Sequence, residues 1–300
     1  MSALGQMLTI RACPLHVCFT LKPGITRPSA QWQVKMSTSA TSKEYRASNG
    51  IFYRVEGEGE PLLLLHGLMV AGAMFDPLVA LLRDRFRMLI PDLRGHGKSG
   101  NLDGPYDVTT LAADLDTVLT EACFNRCAVM GYSHGGTVAQ QLARTRPAVV
   151  SKLVLGCTYA CNASTFRERL ECEAFAALMR IFSPGTLSKL ILRPSKPKPT
   201  GAIGLTREQV EWIRSIMSAN RAPAIRGAVR GLINFDSRAW LKEIAAPTIV
   251  VGGTHDHAVP RHHFDMLMSG IPGAAGRLFD RAGHALVWTH SRELADLMRV

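Results

Sequence analysis

The sequence predicts an α/β protein: a mostly parallel central sheet with helices on both faces and an inserted helical cap. Three observations carry this. Apolar runs of strand length alternate with helical patterns from Glu44 to the end of the chain. The runs are apolar nearly throughout, the signature of parallel strands covered on both faces. Residues 158–237 interrupt the alternation with helical patterns only.

Composition sets the frame. The 300 residues are 47% hydrophobic and 20% charged, which suits a folded chain of one large domain or two small ones. No apolar run approaches the ~18 residues of a membrane-spanning helix. The formal charge of +11 invites a nucleic-acid partner. The basic residues are scattered, however, and no nucleic-acid-binding motif accompanies them, so that class is set aside. Seven cysteines, none in a CxxC pair, give little support to a zinc site and read as small buried hydrophobes in a reducing compartment. The cytoplasm is the expected location.

Residues 1–42 contain Arg11, Lys22, Arg27 and Lys35 but no Asp or Glu, several prolines, and a Ser/Thr-rich end. No period of 2 or 3.6 is sustained, so a disordered tail outside the chemistry is expected. The tail lacks the single apolar core of a secretory signal. Its acidic-poor, Ser-rich composition makes mitochondrial targeting the weaker alternative, and Met36 would begin a tidier chain.

The elements follow in order. Tyr45–Ser48 and Ile51–Val55 flank Asn49-Gly50, a hairpin signal because both turn residues accept φ > 0. Strand-length runs then occupy Pro61–Leu65, Arg87–Ile90, Cys127–Met130, Lys152–Leu155, Thr248–Val251 and Arg277–Phe279. Helical patterns cover Met74–Asp84, Thr109–Ala122, Gly135–Arg146 and Ser291–Arg299 between and after them. Within the insertion, helices are expected at Phe166–Phe182, Thr206–Ala219 and Ala222–Leu232, with a Pro-rich break at 193–199. The core is therefore 43–157 plus 238–300, and the cap 158–237.

In a parallel sheet, the segments that follow each strand gather at its carboxyl edge, where ligands bind. Those segments here are His66-Gly67-Leu68-Met69, Asp92 to Ser99, Gly131-Tyr132-Ser133-His134-Gly135-Gly136, Gly252 to His257, and Asp280 to His284. A bare G-x-S-x-G is a weak signal. With an apolar strand before it and a helix after it, the glycines permit a sharp strand-to-helix turn that holds the Ser133 hydroxyl clear of the sheet. A serine needs a base, and the base an orienting acid. Asp256 and His284 each follow a late strand and supply the order Ser…Asp…His. His262 and His263 lie in a helical stretch and are expected to be exposed; His290 is expected on a helix surface; His66 and His96 are read as structural. A metal at His255-Asp256-His257 is disfavoured, because neighbouring loop residues point different ways.

On these motifs, residues 44–300 resemble the α/β-hydrolase superfamily, in its capped group of esterases, enol-lactonases, cofactor-free haloperoxidases and carbon–carbon bond hydrolases. The resemblance implies Ser133 as nucleophile, His284 as general base and later acid, and Asp256 as its orienting group. It implies an oxyanion hole from the backbone N–H groups of Leu68 and His134, and no cofactor or metal. A serine nucleophile, not an aspartate, argues against the superfamily's epoxide hydrolases and haloalkane dehalogenases. His134 stands where Met or Gln is common, and its imidazole is free to line the pocket or perturb His284. The implied function is a serine hydrolase acting on a small ester, lactone or thioester; the alternative is a carbon–carbon hydrolase or a cofactor-free perhydrolase. The partner expected is a small molecule, and a homo-oligomer is compatible with the sequence. Eight Lys/Arg against two Glu between Arg193 and Arg230 read as a solvated cap surface, with a clamp for a carboxylate substrate as the second reading.

Overall fold

The computed structural model describes residues 19–20, 42–192, 194–195 and 204–299. Most of the expected tail, and most of the Pro-rich 193–199, lie outside them. Eight strands form one sheet: β1 (Lys43–Arg46), β2 (Phe52–Glu56), β3 (Glu60–Leu65), β4 (Phe86–Pro91), β5 (Cys127–Tyr132), β6 (Val150–Gly156), β7 (Thr248–Gly253) and β8 (Ala275–Phe279). Their order is β1-β2-β4-β3-β5-β6-β7-β8. β2 is antiparallel to β1 and β4; all other neighbours are parallel. Each expected strand from β3 onward is present and runs one or two residues further at one or both ends.

The apolar runs have the predicted cause. Leu62, Leu63, Leu64 and Leu65 are all fully buried, and they alternate between two separate apolar clusters, one on each face. Each such leucine contributes about 1.5–3 kcal/mol of burial. Helices α2 (Val108–Glu121), α3 (His134–Thr145) and α8 (Arg261–Gly270) cover one face; α1 (Asp76–Leu82), the short α9 (Leu286–Thr289) and α10 (Ser291–Arg299) cover the other.

Two local expectations need correction. The β1–β2 hairpin exists, but residues 47–51 form a longer loop in place of a two-residue turn. Only Gly50 takes a positive φ (+84°). Asn49 acts through its side chain instead: Oδ1 accepts from the Ile51 N–H (3.2 Å) and Nδ2 donates to the Asp114 carbonyl (3.0 Å). The helix expected from Met74 starts later. Pro77 fits only a first helical turn, so α1 begins at Asp76 and Gly72–Phe75 close as a 3-10 turn.

Between β6 and β7 lie α4 (Phe166–Ile181), α5 (Pro184–Ile191), α6 (Arg207–Ser218) and α7 (Ala222–Ile233). Capping boxes start α4 (Thr165 with Glu168) and α6 (Thr206 with Gln209). Helix α5 was not expected. Ser183-Pro184-Gly185 looks like a helix stop, yet Ser183 caps the Thr186 N–H (3.1 Å) and Pro184 occupies the first turn.

Buried Asn220, between α6 and α7, pins this insertion to two core loops. Its Nδ2 donates to the Met69 carbonyl (2.7 Å) and its Oδ1 accepts from the Gly97 N–H (2.9 Å). Asn220→Ala strips both groups of this partner, at about 1–3 kcal/mol for each one left unsatisfied. The urea unfolding midpoint should fall accordingly; an unchanged midpoint would mean these bonds contribute nothing.

Candidate active site

The turn from β5 into α3 places Ser133. Its backbone sits at φ +53°, ψ −118°, a conformation that a non-glycine residue keeps only when its surroundings enforce it. The enforcement is close packing. A Cβ at Gly135 would collide with the Leu65 carbonyl, and one at Gly131 would lie 2.7 Å from the Gly136 Cα. The helix start is thus pressed against the ends of β3 and β5. The Thr158 hydroxyl donates to the Ser133 carbonyl (2.6 Å) and ties the turn to the end of β6.

Two other loops converge on this hydroxyl. After β7, buried Asp256 accepts at Oδ1 from the N–H groups of Ala258 and Val259, both at 2.9 Å. Those bonds fix the carboxylate and leave Oδ2 for His284, whose Nδ1 lies 2.9 Å away. With the proton on Nδ1, the His284 Nε2 presents a lone pair 3.2 Å from the Ser133 Oγ. The Tyr132 hydroxyl donates to the His284 carbonyl (2.9 Å), so the residue before the serine also holds the backbone of the histidine. The structure therefore brings Ser133, His284 and Asp256 into one hydrogen-bonded chain from three loops.

Leu68 and His134 lie on the two segments that meet beside Ser133. A Cβ on Gly67 would come 3.4 Å from the Ser133 Cβ, so the Gly67–Met69 loop lies against the serine, and Met69 turns it at φ +64°. Among the described residues, no turn or loop bond takes up the N–H of Leu68 or His134.

The His134 side chain goes elsewhere. It lines neither chamber beside Ser133 but is fully buried, with its ring 6.0 Å from that of His96. Neither ring nitrogen has a partner among the described residues, and burial pushes its pKa down to about 3. His66 and His96 are buried, as a structural role requires. The His66 Nε2 accepts from the Leu93 N–H (2.9 Å) and its Nδ1 donates to the Gly67 carbonyl (2.8 Å). Burial lowers both of these imidazoles to about 3 as well.

Other histidines depart from expectation. His262 is exposed, but His263 is buried beside Glu168. His290 is buried where α10 begins, its ring packed on Phe279 (5.7 Å). Among the described residues, the donor atoms of His255, Asp256 and His257 do not converge as a metal site would require. Cys157, at the end of β6, is buried as a small hydrophobe would be, but it also sits at φ +45° and places its sulfur with Asp256 and His284, all within 4.8 Å. Burial first, then the Asp256 charge, keeps this thiol protonated.

Two chambers meet at Leu68, Ser133 and His284. The smaller is lined by Tyr159, Asn162, Cys172, Phe175, Val229 and Leu232; the larger by Met69, Met74, Leu192, Ile213, Met217 and Trp288. Among the described residues no Lys, Arg, Asp or Glu lines either beyond the hydrogen-bonded chain. In the insertion, Arg214 and Arg226 donate to the carbonyls of Leu192 and Met179, and Arg221 pairs with Asp103. Arg193, Lys196 and Lys198 lie outside the described residues.

This fold and this edge have counterparts. The family model for the alpha/beta hydrolase fold matches residues 60–291, and the chain belongs to that family. An uncharacterized protein of Mycobacterium tuberculosis is 29% identical over 248 residues, covering 77% of this chain and 72% of its own. A pimeloyl-[acyl-carrier protein] methyl ester esterase of Aliivibrio salmonicida is 28% identical over 254 residues, covering 82% and 93%. Among solved structures, the bromoperoxidase of Bacillus anthracis superposes with a TM-score of 0.77 at 20% identity, covering 86% of this chain and 98% of its own, a likeness of fold. Among the described residues no helix is long and apolar enough to cross a membrane.

The buried His66, His96 and His134 predict an acid response. His66, His96 and His134 stay neutral in the fold down to about pH 3, whereas the unfolded chain protonates each near 6.5. The unfolded state therefore binds more protons over that window, and stability falls as pH drops through it, by roughly 1.4 kcal/mol per pH unit per histidine. Urea midpoints between pH 7 and pH 5 measure the slope. His134→Met should make it shallower by about one proton and raise stability at pH 5; an identical slope would contradict the assignment.

Proposed function

We propose that the protein is a serine hydrolase that cleaves a small ester, lactone or thioester with apolar groups on both sides of the scissile bond. The observation that carries this reading is the Ser133–His284–Asp256 hydrogen-bonded chain at the meeting point of two apolar chambers.

The steps follow from the geometry. Ser133 Oγ attacks the carbonyl carbon as its proton passes to His284 Nε2. Asp256 stabilises the imidazolium and holds its orientation. The tetrahedral oxyanion takes hydrogen bonds from the Leu68 and His134 N–H groups, each worth about 3–4 kcal/mol at the transition state. His284 returns the proton to the leaving oxygen or sulfur. Water, deprotonated by the same imidazole, then releases the acid from Ser133. The helical insertion serves as the cap: it supplies Phe175, Val229 and Leu232 to one chamber, Ile213 and Met217 to the other.

Support also comes from the relative whose name records methyl ester cleavage. Among the described residues the chamber walls carry no Lys, Arg, Asp or Glu, which favours a neutral substrate over a carboxylate clamped by cap arginines. The described cysteines are free thiols, which suits a reducing compartment such as the cytoplasm.

A fluorophosphonate should label the intact protein once, at Ser133 by peptide mapping, and Ser133→Ala and His284→Ala should abolish the adduct. An adduct elsewhere, or none on folded protein, would overturn the assignment. Asp256→Asn should lower kcat on p-nitrophenyl esters by about four orders of magnitude while leaving the fold intact. A vinylogous diketone cleaved faster than every ester in a panel would instead favour the carbon–carbon hydrolase.

A further inference from the structure

A second cluster of reactive groups lies where the insertion meets the core, and it uses none of Ser133, Asp256 and His284. Glu168 is the third residue of α4; His262 and His263 are the second and third of α8. The Glu168 Oε1 lies 2.9 Å from the His262 Nε2 and 3.2 Å from the His263 Nε2. All three donor atoms fall within 4.8 Å of one another. We propose that Glu168, His262 and His263 bind a divalent transition-metal ion of the zinc class and so clamp the helical insertion to the core.

The donor set fits that chemistry. Two imidazoles and one carboxylate, with a fourth position for water, suit a tetrahedral zinc ion. Bonds of about 2.0–2.1 Å set tetrahedral ligand atoms about 3.3 Å apart, close to the separations already present. The carboxylate is oriented in advance. Its Oε2 accepts from the Ser164 hydroxyl (2.6 Å) and the Thr165 N–H (3.0 Å), which leaves Oε1 turned towards the histidines. The histidine rings lie 4.1 Å apart, and that of His263 is held edge-on against Tyr159 (5.7 Å). One imidazole would satisfy the carboxylate oxygen; two, converging through the same nitrogen, make a chelate. The His263 Nδ1 has no partner among the described residues, so no neighbour there opposes moving its proton to Nδ1 and freeing Nε2 for the ion.

The clamp would act on the substrate chamber through its wall. Helix α4 carries Cys172 and Phe175, and His263 packs on Tyr159; all three contacts belong to the smaller chamber. An ion there stiffens that wall without touching Ser133 or His284.

The test uses the full chain, freed of metal by chelation and titrated with zinc chloride alone. Calorimetry should find one ion per chain at this site, and saturating zinc should raise Tm by on the order of 5 °C. His262→Ala removes a half-exposed ligand, and Glu168→Gln keeps a residue that still completes the capping box. Each should weaken binding by about tenfold or more and abolish the Tm shift. A protein that binds no zinc, or whose binding and Tm shift survive both substitutions, would overturn the proposal.

Discussion

The contact between the start of α3 and the ends of β3 and β5 governs the rest of the active edge. Gly135 lies against the Leu65 carbonyl, and no side chain fits between them. That approach holds Ser133 in its left-handed conformation and lifts its hydroxyl off the sheet. It also brings the Gly67–Met69 loop beside the serine. The parallel register of β3, β5, β6 and β7 then delivers the loops bearing Asp256 and His284 to the same edge. The hydrogen-bonded chain is a consequence of sheet order and one tight turn.

The insertion is coupled to this machinery at more than its walls. Asn220 holds the carbonyl of Met69, the residue next to Leu68, and also the Gly97 N–H on the neighbouring loop. Seating of the insertion and the shape of the Gly67–Met69 loop are therefore linked by one buried amide. The chamber and the Gly67–Met69 loop should respond together when α6 or α7 shifts. The opposite edge of the insertion meets α8 at Glu168, so the segment is anchored on both sides of the site.

Much of this was legible in the sequence, and for identifiable reasons. The Leu62–Leu65 run could be read because a strand buried on both faces leaves no polar alternation. Ser133 could be read because its glycines serve a backbone need that other residues cannot meet. Asp256 and His284 followed from their position after strands. The losses were also physical. Asn49 signalled a turn through its backbone preference but acts through its amide. Ser183-Pro184 reads equally as a stop and a start. Burial of His263, His134 and His290 depends on what packs against them from distant segments, which helical periodicity does not encode. The contacts of Cys157 with Asp256 and His284, and of Thr158 with the Ser133 carbonyl, join segments far apart in the chain and leave no local pattern.

Whether Ser133 carries the acyl group during turnover is the question on which the functional account rests. Stopped-flow mixing with excess p-nitrophenyl acetate tests it directly. The account predicts a burst of close to one equivalent of p-nitrophenolate per chain before the steady rate, if deacylation is the slower step, with that equivalent found as acetyl on Ser133 after acid quench, and no turnover in Ser133→Ala. Turnover by Ser133→Ala at the rate of the parent, or an acetyl group trapped on another residue, would contradict it.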